Sequence, residues 1–470
     1  MFFFDSIPPI VFVVLRSVSD TLGGVEMRKK LLFGTLMAVL PGFMLIQNAS
    51  AVVGPCVNCH TMHNSQHGNY PWDNNATYTT GTQGSTNVVP MTFNNGTTPI
   101  RNLLRGDCQY CHTSGMAPLA GMLYSGDHVW PYVDSTTAPT YPSTGDAYTT
   151  GTYASATWGE NRALAGGSFY WGRTQDQRFA HNVLDLGMPS DSNTGLTPPG
   201  WDANATHFTD AIDGSKVANG ETTWTQQLTC AGVYGCHGRH NAATNDSFAG
   251  VNGAHHSNMF GYVPGTGTIG NSYRFLSGIA GYEHNYYEFA NQADANGVNH
   301  NVYYAVHRTS EDPTTADKRT ISYLCAECHG IFHSGAEVAR DPAVIDSPIG
   351  TPWLRHPTDF DLSQAGPATI GVDGNTDVEY KYYNGGNPTS ASYSMFAPVG
   401  TDNYTLLTDD TISWTGDDAI VTCISCHRAH GSPYYDILRW DYSTCDADSA
   451  TTNATLMNQC GCMVCHTTKG

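Results

Sequence analysis

Cys423-Ile-Ser-Cys426-His427-Arg-Ala-His430 sets two thiols three residues apart, an imidazole directly behind the second thiol, and another imidazole three residues further on. Working outward, the Cys-x-x-Cys-His spacing recurs at Cys56/Cys59/His60, Cys108/Cys111/His112, Cys325/Cys328/His329 and Cys462/Cys465/His466. A related stretch, Cys230-Ala-Gly-Val-Tyr-Gly-Cys236-His237, keeps the terminal Cys-His but has five residues between its cysteines. Of the 14 cysteines, only Cys445 and Cys460 fall outside these sites.

A lone Cys-x-x-Cys is ambiguous between a redox pair, half of a zinc site and a haem c attachment site. Repetition removes the ambiguity. Structural zinc needs pairs that converge as four ligands, whereas here each pair brings its own histidine at the same position. Two thiols bonded to the vinyl groups along one haem edge, with the next residue carrying imidazole to the iron, account for the spacing. The expectation is six covalently bound haem c groups, with His60, His112, His237, His329, His427 and His466 as proximal iron ligands.

Export fits that chemistry, because haem c attachment belongs outside the reducing cytoplasm. Met27-Arg28-Lys29-Lys30 reads as a basic n-region, Leu31 to Ile46 as an apolar core and Ala49-Ser50-Ala51 as a small-residue cleavage site. Gly34, Pro41 and Gly42 interrupt the apolar run, which falls short of the roughly 20 apolar residues of a membrane span. We therefore expect residues 27–51 to be a secretory signal peptide, residues 52–470 the mature hexahaem domain, and residues 1–26 a non-native upstream extension. The destination is extracellular or the cell surface, reached through the periplasm.

Charged residues make up 13% of the chain, well below the roughly 25% of ordinary domains. Aromatic residues make up 11%, which argues against disorder, with porphyrin supplying apolar core that the side chains do not. A net charge of −20 argues against nucleic acid as a partner. Helical periodicity is poor beyond the signal segment, and stretches such as 77–86, 265–271 and 383–389 are dense in turn residues. The fold class expected is mainly coil with short helices at the motifs and few short strands, in one domain wrapped around a stacked row of haems.

Fourteen further histidines can fill the distal positions. His63, His240 and His430 follow a proximal histidine by three residues and His333 by four, so on a helical turn they share its face and cannot reach the far side of the same iron. Such a residue either ligates a different haem or is structural. His181, His356 and His128 complete the candidates, while His67, His207, His255, His256, His284, His300 and His307 read as exposed or hydrogen-bonding histidines. An exported address makes a Cys445–Cys460 disulfide the default, worth about 3 kcal/mol for a loop of roughly 15 residues. The alternative is that Cys460 takes the place of Cys462 beside Cys465.

Cys56-Val-Asn-Cys-His-Thr-Met-His-Asn-Ser65, Cys325-Ala-Glu-Cys-His-Gly-Ile-Phe-His-Ser334, Leu354-Arg-His-Pro357 and Cys423-Ile-Ser-Cys-His-Arg-Ala-His430, in this order, resemble the OmcS-type hexahaem cytochromes of extracellular nanowires. The resemblance implies bis-histidine haems in alternating parallel and T-shaped pairs, and identical subunits joined head to tail. It also implies that His63 completes the coordination of the neighbouring subunit's fifth haem, the one held by His427. Donors would be other cytochromes, and acceptors metal oxides, electrodes or partner cells. The long third interval, the Cys445/Cys460 pair and the sparse match around His128 depart from the family. A reductase of nitrite, hydroxylamine or a sulfur oxyanion needs an iron with an open position, which the surplus of histidines disfavours. A non-enzymatic electron carrier is the expectation, with that reductase or a monomeric shuttle as the alternatives.

Overall fold

The computed structural model describes residues 108, 112–113, 132–139, 164–202, 222–240, 272–283, 301–308, 313–333, 356, 358–362, 397–402, 419–445 and 460–465, and the backbone at 78–79, 88–89 and 261–263. The chain divides into two units, 1–50 and 51–470, and every described residue lies in the second. Cys56, Cys59, His60, His63, Cys111, His128 and His466 lie outside the described residues, as does the signal segment. No helix among the described residues is long and apolar enough to cross a membrane.

Secondary structure is sparse, as the weak periodicity leads one to expect. The longest described helix, Ile321–Ala326, has six residues, and the described strands have two or three. Strand pairing is limited in extent: Gly261–Val263, Gly281–Glu283 and Val302–Tyr303 form a three-stranded antiparallel sheet, and Phe360–Asp361 pairs antiparallel with Ile420–Val421.

Each helix that carries a cysteine motif has a local reason to start where it does. Thr320 caps Ile321–Ala326 by accepting from Tyr323 N at 3.1 Å, so that Cys325 falls in the last turn. Thr422 opens Cys423–Cys426 with a reciprocal capping box, in which its own amide donates to Ser425 Oγ at 3.0 Å. A single turn then suffices to put both cysteines of that motif on one side.

The third motif reaches the same result by another route. Thr229–Ala231 and Gly235–His237 pair as parallel strands, with Thr229 opposite Gly235 and Ala231 opposite His237. That register sets Cys230 level with Cys236 on adjacent strands, about 4.8 Å apart in backbone spacing. Residues three apart on a helical turn are separated by a comparable distance, about 5–6 Å between Cβ atoms. Glycine is required at 235, where a Cβ would stand 2.4 Å from the Ala231 backbone.

Apolar packing among the described residues occurs as separate clusters, three of which abut attachment cysteines. Tyr273, Ile279, Leu362, Ile424 and Trp440 pack beside Cys236, Cys426, Cys462 and Cys465. Phe169, Val183 and Leu186 pack beside Cys230, and Trp201, Trp224 and Tyr234 beside Cys328. Cys445 and Cys460 are joined by a disulfide, and Cys460 is fully buried.

Two distant segments are laced together backbone to backbone. His430 N donates to Gly166 O at 2.6 Å, Ser168 N to Gly431 O at 3.0 Å, His181 N to His430 O at 3.2 Å and Ser432 N to Phe179 O at 2.9 Å. A Cβ at Gly431 would meet Ser168 O at 2.6 Å and Phe179 O at 2.7 Å, both backbone atoms that cannot rotate away. Gly431→Ala is expected to lower stability by about 1–3 kcal/mol, the usual cost of overpacking. Denaturant unfolding of the mature protein should show an earlier midpoint, and an unchanged midpoint would contradict the close approach.

Candidate functional site

The described attachment cysteines stand next to one another in chain order. Cys230 and Cys108 share a thiol hydrogen bond, as do Cys325 and Cys423. Cys236 lies within electrostatic reach of Cys325, and Cys426 within reach of Cys462 and Cys465. The second to sixth motifs therefore adjoin in sequence. Burial pushes the Cys236 thiol up to about 11 and the Cys426 thiol to about 12, so neither is a thiolate at neutral pH. All the described motif cysteines are partly buried.

Imidazoles flank this line in pairs. The His181 and His329 rings have centroids 6.2 Å apart, and those of His237 and His430 are 6.1 Å apart. An iron held between two Nε2 atoms by metal–imidazole bonds of about 2 Å puts ring centroids about 6 Å apart, so both pairs fit a bis-histidine haem. One member of each pair is a proximal histidine from the sequence reading, and the other is a candidate distal histidine. The donor set and the spacing thus suit haem c.

The tautomers suit ligation too. Nδ1 of His329 is 2.6 Å from Pro199 O, that of His181 is 2.6 Å from Ala429 O, that of His237 is 3.0 Å from Arg274 O, and that of His427 is 2.8 Å from Asp436 O. A carbonyl only accepts, so each Nδ1 carries the proton and each Nε2 keeps its lone pair for a metal. Burial depresses the basicity of His237 and His329 to about 4 and of His430 to about 3, and it lowers His181 in the same direction. These rings are neutral at physiological pH, as ligands must be. His307 differs: its Nδ1 accepts from Asp361 N at 3.1 Å, leaving the proton on Nε2, in keeping with the hydrogen-bonding role expected of it.

Each described histidine that trails a motif approaches a different motif. His430, behind the fifth motif, pairs with the third motif's His237. His240, behind the third, is buried with Nδ1 2.5 Å from Oε2 of Glu327, inside the fourth motif. His333, behind the fourth, has Nε2 3.3 Å from Cys423 Sγ of the fifth and Nδ1 4.0 Å from Asp359 Oδ2. His356, also a distal candidate, is exposed.

Glu327 and Asp359 are site residues that motif reading passes over. Glu327 had a visible signal, since it lies between the two cysteines of its motif. Asp359 had none. Burial raises its carboxyl to about 6, opposed by His333. The carbonyls of Pro199, Arg274, Ala429 and Asp436 are equally silent in a sequence, because any residue supplies one.

No protein-family model matches the chain. It is similar to the C-type cytochrome OmcS of Geobacter sulfurreducens, with 28% identity over 414 aligned residues that cover 83% of this chain and 80% of the relative. Among solved structures it overlaps the Outer Membrane Cytochrome S Filament from Geobacter sulfurreducens at a TM-score of 0.38 and 20% identity, covering 90% of this chain and 93% of that one. A cryo-EM structure of OmcS nanowires from the same organism overlaps at 0.32 and 20% identity, covering 89% and 94%. Overlap that loose transfers no geometry. The sequence match to a c-type cytochrome, by contrast, spans most of both chains.

Proposed function

We propose that this chain is an exported c-type cytochrome that carries six covalent haems in a row and passes electrons along them. Its donors are other cytochromes, and its acceptors are extracellular metal oxides or electrodes. The carrying observation is the pairing of His181 with His329 and of His237 with His430, at 6.2 and 6.1 Å, each joining a motif histidine to one from a distant part of the chain. Haem, when bound, supplies reversible one-electron chemistry at iron. The chain's own residues hold and orient it. The motif cysteines would hold it covalently, the paired imidazoles would ligate its iron, and backbone carbonyls lock each ring's tautomer. At these two positions a haem so held would have no open site for a substrate, which favours a carrier over a reductase.

Adjacent motif cysteines support electron hopping, since haems attached at neighbouring motifs would be held close together. Filament assembly is the further part of the proposal and rests on the similarity to OmcS. Identical subunits join head to tail, with His63 ligating the iron held by His427 in the next subunit.

Intact-mass analysis of the mature protein should show six haem additions on a chain starting near residue 52. A count of five would mean that the Cys230/Cys236 site is empty.

His181→Ala should keep the full haem mass while opening one iron, read as a new high-spin signal and carbon monoxide binding by the reduced protein. An unchanged spectrum would remove His181 from the ligands.

His63→Ala should leave a folded, fully haem-loaded monomer that forms no filaments in electron micrographs. Filaments of normal length from this variant would defeat the assembly reading.

A further inference from the structure

A third sulfur stands beside the disulfide. Sγ of Cys445, Cys460 and Cys462 all lie within 4.8 Å of one another. Cys445 and Cys460 are bonded, whereas Cys462 is a thiol. Residues two apart do not ordinarily face each other on a helical turn. Here Cys460 ends the segment leading into the Cys462–Cys465 helix, and Met463 N donates back to Cys460 O at 3.0 Å, which curls the two cysteines together. Cys460 is fully buried, so its sulfur meets neighbours within the chain rather than reagents in solvent. Cys462 is one of the two thiols of the sixth motif.

The chemistry creates a conflict. Haem attachment adds S–H across a vinyl double bond and therefore needs Cys462 as a thiol. The oxidising compartment favours joining neighbouring thiols, with two electrons and two protons passing to a disulfide-donating oxidant. A Cys460–Cys462 bond would block the addition. We propose that Cys445 is a resolving cysteine that keeps Cys462 available for haem attachment by holding Cys460 in the Cys445–Cys460 bond. Exchange among the three sulfurs is balanced: the Cys462 thiolate attacks Cys460 Sγ and expels the Cys445 thiolate, and attack by Cys445 on Cys460 reverses it. Thioether formation then withdraws Cys462 from the exchange. The disulfide is thus a maturation device as well as a crosslink.

This inference rests on the proposed haem attachment at Cys462. The test compares wild type, Cys445→Ser and the double variant Cys445→Ser/Cys460→Ser. Each is exported in the same host, denatured without reductant, and read by intact mass and disulfide-peptide mapping. Cys445→Ser is expected to yield a large population one haem short, with Cys460 bonded to Cys462. The double variant lacks the same crosslink but also lacks the competing thiol, so it should regain the full haem complement. Equal haem loss in both variants would overturn the proposal, because lost stability alone would explain it. A full complement in Cys445→Ser would overturn it too. Wild type with Cys462 bearing no haem would overturn the attachment reading itself, an outcome distinct from either of these.

Discussion

The backbone lacing between residues 166–181 and 430–432 is the constraint on which the rest of the site depends. It joins stretches 249 to 264 residues apart in sequence, and the cost of closing so long a loop rises only slowly with length. Once formed, it fixes His181 and His430 on neighbouring backbones. From there the two rings serve different motif histidines, His329 and His237. Ala429 O, next to His430 in the chain, holds the His181 ring. One short ladder therefore sets both ring pairs at once. Its closeness leaves no room for a side chain at Gly431.

With so few charged residues, 13% of the chain, the buried ones carry unusual weight. Arg173 grips Asp134 at 2.9 and 3.2 Å and also Ser135 O at 2.9 Å, while Val133 N donates to the backbone of His112. Arg428 NH1 reaches Leu164 O at 2.8 Å, and Arg439 NH1 reaches Ala165 O and His427 O. These guanidinium groups serve as fixed multiple donors to loop carbonyls that no helix or sheet satisfies. They do for coil what ladders do for a sheet. Removing one partner of the Arg173–Asp134 pair would strand a charge in the interior.

Much of this arrangement was legible in the sequence, because cysteine spacing is local and local spacing is what a sequence records. The motif helices, the scarcity of regular structure and the turning of His240, His333 and His430 away from their own motifs all follow from spacing. The choice of partner does not. Nothing in Arg428-Ala-His430 says that His430 faces His237 rather than another ring, since that is settled by contacts between segments far apart in the chain. His356 looked equivalent to His181 in its compact, turn-rich context, yet it is exposed. Tautomer control was invisible for a similar reason, as it comes from carbonyls that every residue possesses.

The parallel pairing of Cys230 with Cys236 bears on how such proteins are counted. What matters to a doubly attached cofactor is the separation of two sulfurs in space, and a helical turn is only one way to set it. A five-residue interval that folds back on itself gives an equivalent spacing, provided glycine precedes the second cysteine and lets the returning backbone lie against the outgoing one. With haem attached there as proposed, a search keyed to the short interval alone would pass over this site. Gly235 is what permits the return, since a Cβ there would stand 2.4 Å from the Ala231 backbone, and Gly232 turns the chain between the strands at a φ of +91°.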